Sequence, residues 1–249
     1  MIRRKRVLMK RRTFLQTTTL ATAALASGQV FTARAATAKE LAAKLPRWRG
    51  FNLTEKFVAR PGGNPPFPDS DFALLHEWGF DFARLPMSYL CWSSHDDMRS
   101  AREPELKHLD AAVASGEKHG VHICLNLHRA PGYCVNPPGE PLDLWKDERA
   151  LDACVFQWAL LARRFKGVPA ARLSFDLLNE PANVSEENYA RVVRRLVEAI
   201  RAEDPDRLII ADGLQWGRDP VFSLADLGIA ESTRGYDPME VSHFKASWI

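Results

Sequence analysis

Short apolar segments alternate with amphipathic helical segments along most of this chain, and this alternation limits the possible folds more than any other feature. The segments that predict strands are 49–53, 81–86, 121–128, 172–178, 208–211 and 239–243. The segments that predict helices are 69–78, 105–119, 148–165 and the amphipathic stretch that Ser185 caps. Such alternation predicts a parallel sheet with helical crossovers, either a closed eight-stranded barrel or an open doubly wound sheet.

The open sheet loses its main support because the sequence lacks a nucleotide-binding signature. No G-x-G-x-x-G follows the first predicted strand, and no phosphate-binding loop is present. We therefore predict an α/β fold of the TIM (β/α)8 barrel type that is incomplete, with about six of eight strands present. Residues 36–249 form the amino-terminal portion of this catalytic barrel domain in our interpretation.

The first 35 residues predict an export signal. Arg11 and Arg12 precede the apolar pair Phe14-Leu15, a small and mildly apolar segment follows, and Ala33-Arg34-Ala35 matches a cleavage site. The pattern resembles a twin-arginine signal and predicts a periplasmic or extracellular protein. A plain Sec signal and an uncleaved anchor are the alternatives. We expect no stable membrane insertion, because the segment is short and rich in threonine.

The net charge bears on whether the protein binds nucleic acid, and the cysteine spacing bears on whether it holds a metal or forms disulfides. Eight of the 34 lysines and arginines lie in residues 1–35, so the remainder has 34 − 8 = 26 basic against 31 acidic residues. This mild negative excess argues against a nucleic-acid partner. The cysteines show no CxxC spacing. We expect Cys124 and Cys154 to be buried thiols, and a bridge between Cys91 and Cys134 stays open as a hypothesis.

Polar residues suited to sugar chemistry occur on four of the predicted strands. Arg84 lies on the second, His128 ends the third, Asn179-Glu180 follows the fourth and His243 ends the sixth. The carboxyl ends of barrel strands form the catalytic face, so these residues are candidates for binding and catalysis. In the alternative interpretation Asn-Glu-Pro merely starts a loop, Arg84 pairs with a structural acid, and each histidine is a core residue.

Together these residues resemble the cellulase-like members of glycoside hydrolase family 5, which are retaining β-glycosidases. The resemblance implies that Glu180 is the general acid/base, that Asn179 binds the sugar 2-hydroxyl, and that Arg84 orients a nucleophilic carboxylate. It also implies that His128 and His243 contact the sugar. Flat rings in loops after the strands can stack on pyranose faces, and we assign Trp216 to the substrate on this ground.

The second carboxylate of such a site is missing from the sequence. Retaining hydrolysis needs two carboxyl groups about 5 to 5.5 Å apart, and in the resembled family the nucleophile is a glutamate at the end of strand seven. No acid follows His243, and Lys245 stands where an aromatic residue is common. We therefore expect a chain truncated before strand seven, poorly soluble and inactive on its own.

The leading hypothesis is an exported, monomeric O-glycosyl hydrolase that cleaves β-glucan or mannan-type polysaccharide without a metal or cofactor. The first alternative is a noncatalytic carbohydrate-binding relative or an inactive fragment. The second is a metal-dependent barrel enzyme with His128, His243 and Glu180 as ligands. The absence of H-x-H and H-E-x-x-H spacing disfavours this second alternative.

Overall fold

A sheet of six parallel strands organises residues 45–246, the part of the chain that the computed structural model describes. In spatial order the strands are β1 (Gly50–Asn52), β2 (Phe82–Ser88), β3 (His122–Ala130), β5 (Leu173–Asp176), β6 (Leu208–Asp212) and β7 (Ala230–Ser232). A two-residue strand, β4 (Tyr133–Cys134), pairs antiparallel with the end of β3. Because spatial order follows chain order, the arrangement is an incomplete TIM barrel, as predicted, rather than a doubly wound sheet.

Helices form the crossovers between these strands. The four longest are α1 (Asp69–Glu77), α2 (Glu103–His119), α3 (Glu148–Arg164) and α4 (Glu186–Glu203). The side chains of Asp147 and Ser185 accept hydrogen bonds from the first turns of α3 and α4, and Gly120 ends α2 at a φ of 69°. Shorter helical segments are Tyr89–Cys91, α5 (Leu214–Gly217), Phe222–Leu227 and α6 (Met239–Ser242).

The core lies on both faces of the central strands. Leu85, Leu125 and Phe175 are fully buried on β2, β3 and β5. The Trp158 ring of α3 packs against Phe175, with ring centroids 5.1 Å apart. Burial on both faces explains why these strands are nearly continuous apolar runs that the sequence reveals.

The sixth strand was predicted in the wrong place. Residues 239–242 form α6, which follows Pro238, whereas β7 (Ala230–Ser232) is the strand that pairs with β6. In β7 only Ala230 is buried, so the three residues carry neither an apolar run nor a clear alternation. His243 therefore follows a short helix and does not end a strand.

The four cysteines are free in the structure. Cys91, Cys124 and Cys154 are buried and Cys134 is half-buried. The thiol of Cys91 donates to the main-chain oxygen of Lys56 at 3.3 Å, so the hypothetical bridge to Cys134 is not formed.

No helix among residues 45–246 is both long and apolar enough to cross a bilayer. The export signal predicted for residues 1–35 lies outside the described residues.

His122, the first residue of β3, is buried beneath the sheet. Its Nδ1 lies 3.0 Å from the Ala171 main-chain oxygen, and its Nε2 lies 2.8 Å from the Ser174 hydroxyl. Because a carbonyl oxygen can only accept, Nδ1 carries the proton and Nε2 accepts from Ser174. The Trp48 ring stacks on the imidazole at 3.8 Å. Burial lowers the pKa of His122 from 6.5 to about 4, so the ring is neutral at pH 7.

We expect acid to destabilise the protein through His122. The unfolded state binds a proton below pH 6.5 and the folded state only near pH 4, so the contribution is complete above pH 6.5 and is lost as pH falls. Between pH 7 and 5 the wild type should lose about 2 kcal/mol more unfolding free energy than His122→Gln. Urea unfolding of both proteins at each pH measures this difference. An identical pH dependence would contradict the expectation.

Candidate active site

A cavity of about 370 Å³ opens at the carboxyl ends of the strands. Its walls come from the ends of β1, β2 and β3 and from the segments that follow β5 and β7. The lining residues are Asn52, Thr54, Phe57, Arg84, Pro86, His128, Asn179, Glu180, Arg234 and Tyr236. The cavity therefore lies on the face where barrel enzymes carry out their chemistry.

The structure brings four of the six predicted site residues to this cavity, namely Arg84, His128, Asn179 and Glu180. Trp216 and His243 lie outside its walls. The main-chain N–H of Trp216 donates to the Pro181 oxygen at 3.3 Å, which places Trp216 behind the Asn-Glu-Pro segment. The His243 ring meets the Tyr236 ring edge-on, with centroids 4.8 Å apart.

Arg84 connects the sheet to the cavity wall. Its Nε donates to Asp176 Oδ2 at 2.7 Å, and its Nη2 donates to Asn179 Oδ1 at 2.8 Å. Burial lowers the pKa of Arg84, but the nearby carboxylates of Asp176 and Asp212 raise it by more, so the net shift is upward and the side chain stays charged. Arg84 thus pairs with a structural acid and also lines the cavity.

Glu180 occupies a strained main-chain conformation at the edge of the cavity. Its φ of 52° lies in the left-handed region, which costs a residue with a Cβ about 1 to 2 kcal/mol. Its carboxylate accepts a hydrogen bond from the Tyr236 hydroxyl and lies 3.5 Å from Arg234 Nε. The side chain is only 19% exposed, so its position depends on these neighbours.

Asp212, the last residue of β6, is fully buried beneath Glu180. Its Oδ2 accepts from the Glu180 main-chain N–H at 2.9 Å and from Arg234 Nη2 at 2.5 Å. Burial, followed by the charge of Asp176, raises the pKa of Asp212 to about 7. Asp212 is therefore an acid that titrates close to neutral pH inside the barrel.

His128, on β3, also lines the cavity. Its Nε2 donates to Asn136 Oδ1 at 2.6 Å, and the Phe57 ring packs against the imidazole at 4.3 Å. Burial lowers the pKa of His128, so the ring is neutral at pH 7. A neutral, half-buried imidazole is suited to a hydrogen bond with a sugar hydroxyl.

Sequence reasoning missed Asp176, Asp212, Arg234 and Tyr236 as parts of the site. Asp212 had a usable signal, since it is an acid directly after the apolar run that predicts the fifth strand. Arg234 and Tyr236 follow β7 and could not be placed while that strand was sought at residues 239–243.

Glu180 is the one carboxylate among the described residues that line the cavity. Within residues 45–246, no three His, Cys, Asp or Glu side chains are grouped so that they could hold a metal ion. These residues can supply a single, partly exposed acid or base, surrounded by arginine, asparagine, histidine and tyrosine groups that bind polar ligands.

An incomplete TIM barrel with a glutamate among hydrogen-bonding groups at its strand ends has the architecture of a barrel glycosidase. A family model agrees: Cellulase (glycosyl hydrolase family 5) matches residues 36–239. The chain therefore belongs to glycosyl hydrolase family 5, which confirms the resemblance inferred from its sequence.

Curated relatives and solved structures support this membership. Endoglucanase C of Acetivibrio thermocellus is 28% identical over 184 residues, covering 72% of this chain and 53% of the relative. The β-xylosidase of Phanerodontia chrysosporium is 26% identical, covering 61% of this chain and 33% of that protein. The chain thus spans about half the length of the endoglucanase and about a third of the length of the β-xylosidase.

Among solved structures, a crystal structure of a glycoside hydrolase has a TM-score of 0.77 and 42% identity, covering 80% of this chain and 63% of that one. A hyperthermophilic endo-β-1,4-glucanase in complex with substrate has a TM-score of 0.67 at 22% identity, covering 86% and 67%. Because the identity to the endo-β-1,4-glucanase is only 22%, this similarity supports the fold alone.

We expect Arg84→Met to lower the unfolding free energy by about 3 kcal/mol, because Asp176 would remain buried and charged without its partner. Adding Asp176→Asn should restore part of this loss. Arg149→Met, which breaks a solvent-screened pair with Asp147, is the control and should lower the unfolding free energy far less. Urea unfolding of the wild type and these three variants at pH 7 measures the differences. The expectation fails if the double variant is less stable than Arg84→Met.

Proposed function

We propose that this chain carries the acid/base half of a retaining glycoside hydrolase that cleaves β-glucan or mannan-type polysaccharide. The observation that carries the proposal is the position of Glu180, a partly exposed carboxylate at a barrel strand end inside a polar cavity. The leaving glycosidic oxygen needs a proton, and Glu180 would supply it and then deprotonate the incoming water.

The residues around Glu180 have groups suited to a sugar. Arg84 donates to Asn179 Oδ1, so the amide NH2 of Asn179 is the group that would donate to the sugar 2-hydroxyl. His128, which also lines the cavity, would contact a second hydroxyl. The hydrogen bond to the 2-hydroxyl would strengthen in the transition state, which is how binding would contribute to rate.

The substrate class rests on the relatives. Several are called endoglucanases, one is a cellodextrinase, and a Thermotoga maritima enzyme of similar fold has been solved with mannotriose. We propose a β-glucan or mannan chain as substrate. We also propose that the protein is a monomer and that residues 1–35 are an export signal that directs it to the periplasm or the extracellular space, where it would encounter such polymers.

A second candidate function is carbohydrate binding without hydrolysis. It is favoured by the fact that, in the described part of the chain, Glu180 alone lines the cavity as a carboxylate. Saturable binding of cello-oligosaccharides to the complete gene product, with no release of reducing sugar, would support this candidate. Turnover of a β-glucan by the 249-residue chain itself would contradict our expectation that this chain alone is inactive.

We expect Glu180→Gln in the complete gene product to lower kcat on oligosaccharides by about 10²- to 10⁴-fold, because the leaving oxygen then receives no proton. Activated aryl glycosides, whose leaving groups need no proton, should lose much less in the glycosylation step. Glu187→Gln, at an exposed glutamate in the first turn of α4, is the matched control and should change neither rate. Equal losses on both substrates would count against the acid/base role.

A further inference from the structure

The main chain of Glu180 is held on both sides by buried side chains. We propose that Asp212 and Tyr133 are positioning residues that clamp this glutamate in its place in the cavity. The inference rests on the proposed function in one respect, namely that Glu180 does chemistry. The clamp itself is a matter of geometry and can be tested separately.

The first half of the clamp is Asp212, which positions both the main chain and the side-chain carboxylate of Glu180. Its Oδ2 accepts from the Glu180 N–H at 2.9 Å, which fixes the main chain. The same oxygen accepts from Arg234 Nη2 at 2.5 Å, and Arg234 Nε lies 3.5 Å from the Glu180 carboxylate. One buried carboxylate thus orients the backbone directly and the side chain through an arginine.

The second half is Tyr133, which holds the other side of the same peptide segment. Its hydroxyl donates to the Glu180 main-chain oxygen at 2.7 Å and accepts from the Ala182 N–H at 3.0 Å. Its ring packs against Trp145, with centroids 4.9 Å apart, and is 9% exposed. The hydroxyl is therefore a rigid two-way bridge across the Asn-Glu-Pro segment.

The hairpin strand β4 is what delivers Tyr133 to this position. Gly132 precedes it at a φ of 79°, and a Cβ at Gly132 would lie 2.6 Å from the Ala150 side chain. Only glycine fits this turn, so the chain can reverse after β3 and bring the tyrosine under Glu180. This gives a physical role to a strand that the sequence pattern did not reveal.

Without the clamp, we expect the main chain of Glu180 to relax out of its strained conformation. A glutamate at a φ of 52° stays there only when its surroundings hold it, since ordinary conformations at negative φ are more favourable. Turning the backbone would swing the carboxylate away from its place in the cavity. A shift of about 1 Å in a catalytic group can lower the rate by about 100-fold.

Charged groups from several elements face Asp212 and belong to the same network. They are Arg84 of β2, Asp176 of β5 and Arg234 after β7. The Tyr189 hydroxyl donates to the main-chain oxygen of Asp212 and fixes the end of β6 from below. A variant that neutralises Asp212 therefore removes one negative charge from this network and also weakens the hydrogen bond from the Glu180 N–H.

The test compares Asp212→Asn and Tyr133→Phe with Tyr89→Phe in the complete gene product. Tyr89→Phe is the matched control, because it also removes a buried tyrosine hydroxyl, but one that donates to the Glu140 carboxylate and not to the Glu180 segment. Thermal unfolding of each variant shows whether it is folded. Tyr133→Phe is the milder change and keeps the test valid if Asp212→Asn does not fold.

The first readout is the amide proton of Glu180, observed by NMR with ¹⁵N-glutamate and assigned by its loss in Glu180→Gln. We expect Asp212→Asn to move this resonance upfield, because a neutral amide oxygen is a weaker acceptor than the carboxylate, and Tyr133→Phe to shift it as the segment relaxes. Tyr89→Phe should leave it in place. An unmoved resonance in both clamp variants would overturn the proposal, whatever the enzyme does with sugars.

The second readout is the dependence of kcat on the leaving group. We expect each clamp variant to lose about 10- to 100-fold on poor leaving groups and far less on activated aryl glycosides, with KM little changed. A merely structural defect would lower both rates equally, and that result would overturn the positioning role. If Glu180→Gln itself spares poor leaving groups, the acid/base function fails, and the amide shift alone then decides whether the clamp exists.

Discussion

The cavity depends on the pairing of two buried carboxylates with two arginines. Asp176 and Asp212 end neighbouring parallel strands, where water cannot reach them, and leaving either charge unpaired would cost several kcal/mol. Arg84 and Arg234 meet them at 2.7 and 2.5 Å. Because the pairing fixes both guanidinium groups, it also fixes what they touch on their other side, which is the Asn179-Glu180 segment.

An apolar layer covers the other face of the strands that carry this polar layer. Leu85 and Phe175 directly neighbour Arg84 and Asp176 along the chain, so their fully buried side chains point to the opposite face, where Phe175 packs against Trp158 of α3. Desolvation is why Asp212 titrates near pH 7, and it is also why each hydrogen bond in the layer is directional and strong. Burial in the barrel thus raises the pKa of Asp212, and the two arginines in turn pair with the acids that end the core strands.

The sequence predicts the parts of this structure that follow from continuous burial. Strands β2, β3, β5 and β6 are apolar runs, and Ser185 marks the start of α4, so the barrel order is visible in advance. Strand β7 is invisible because one buried alanine in three residues makes no pattern. The placement of His243 at a strand end failed for that reason, and Arg234 and Tyr236 were missed with it.

The role of Asn-Glu-Pro shows what a short motif can and cannot say. The tripeptide alone is equally consistent with the start of an ordinary loop. What separates the two interpretations is the set of distant partners: an aspartate 32 residues later and a tyrosine 47 residues earlier hold the glutamate's N–H and C=O. These partners lie on two different strands, β6 and β4, and meet only in the folded barrel, so no local pattern could reveal them. Two buried side chains thus hold the main chain of one residue in a left-handed conformation, and strain that is held in this way supports the catalytic role that we propose for Glu180.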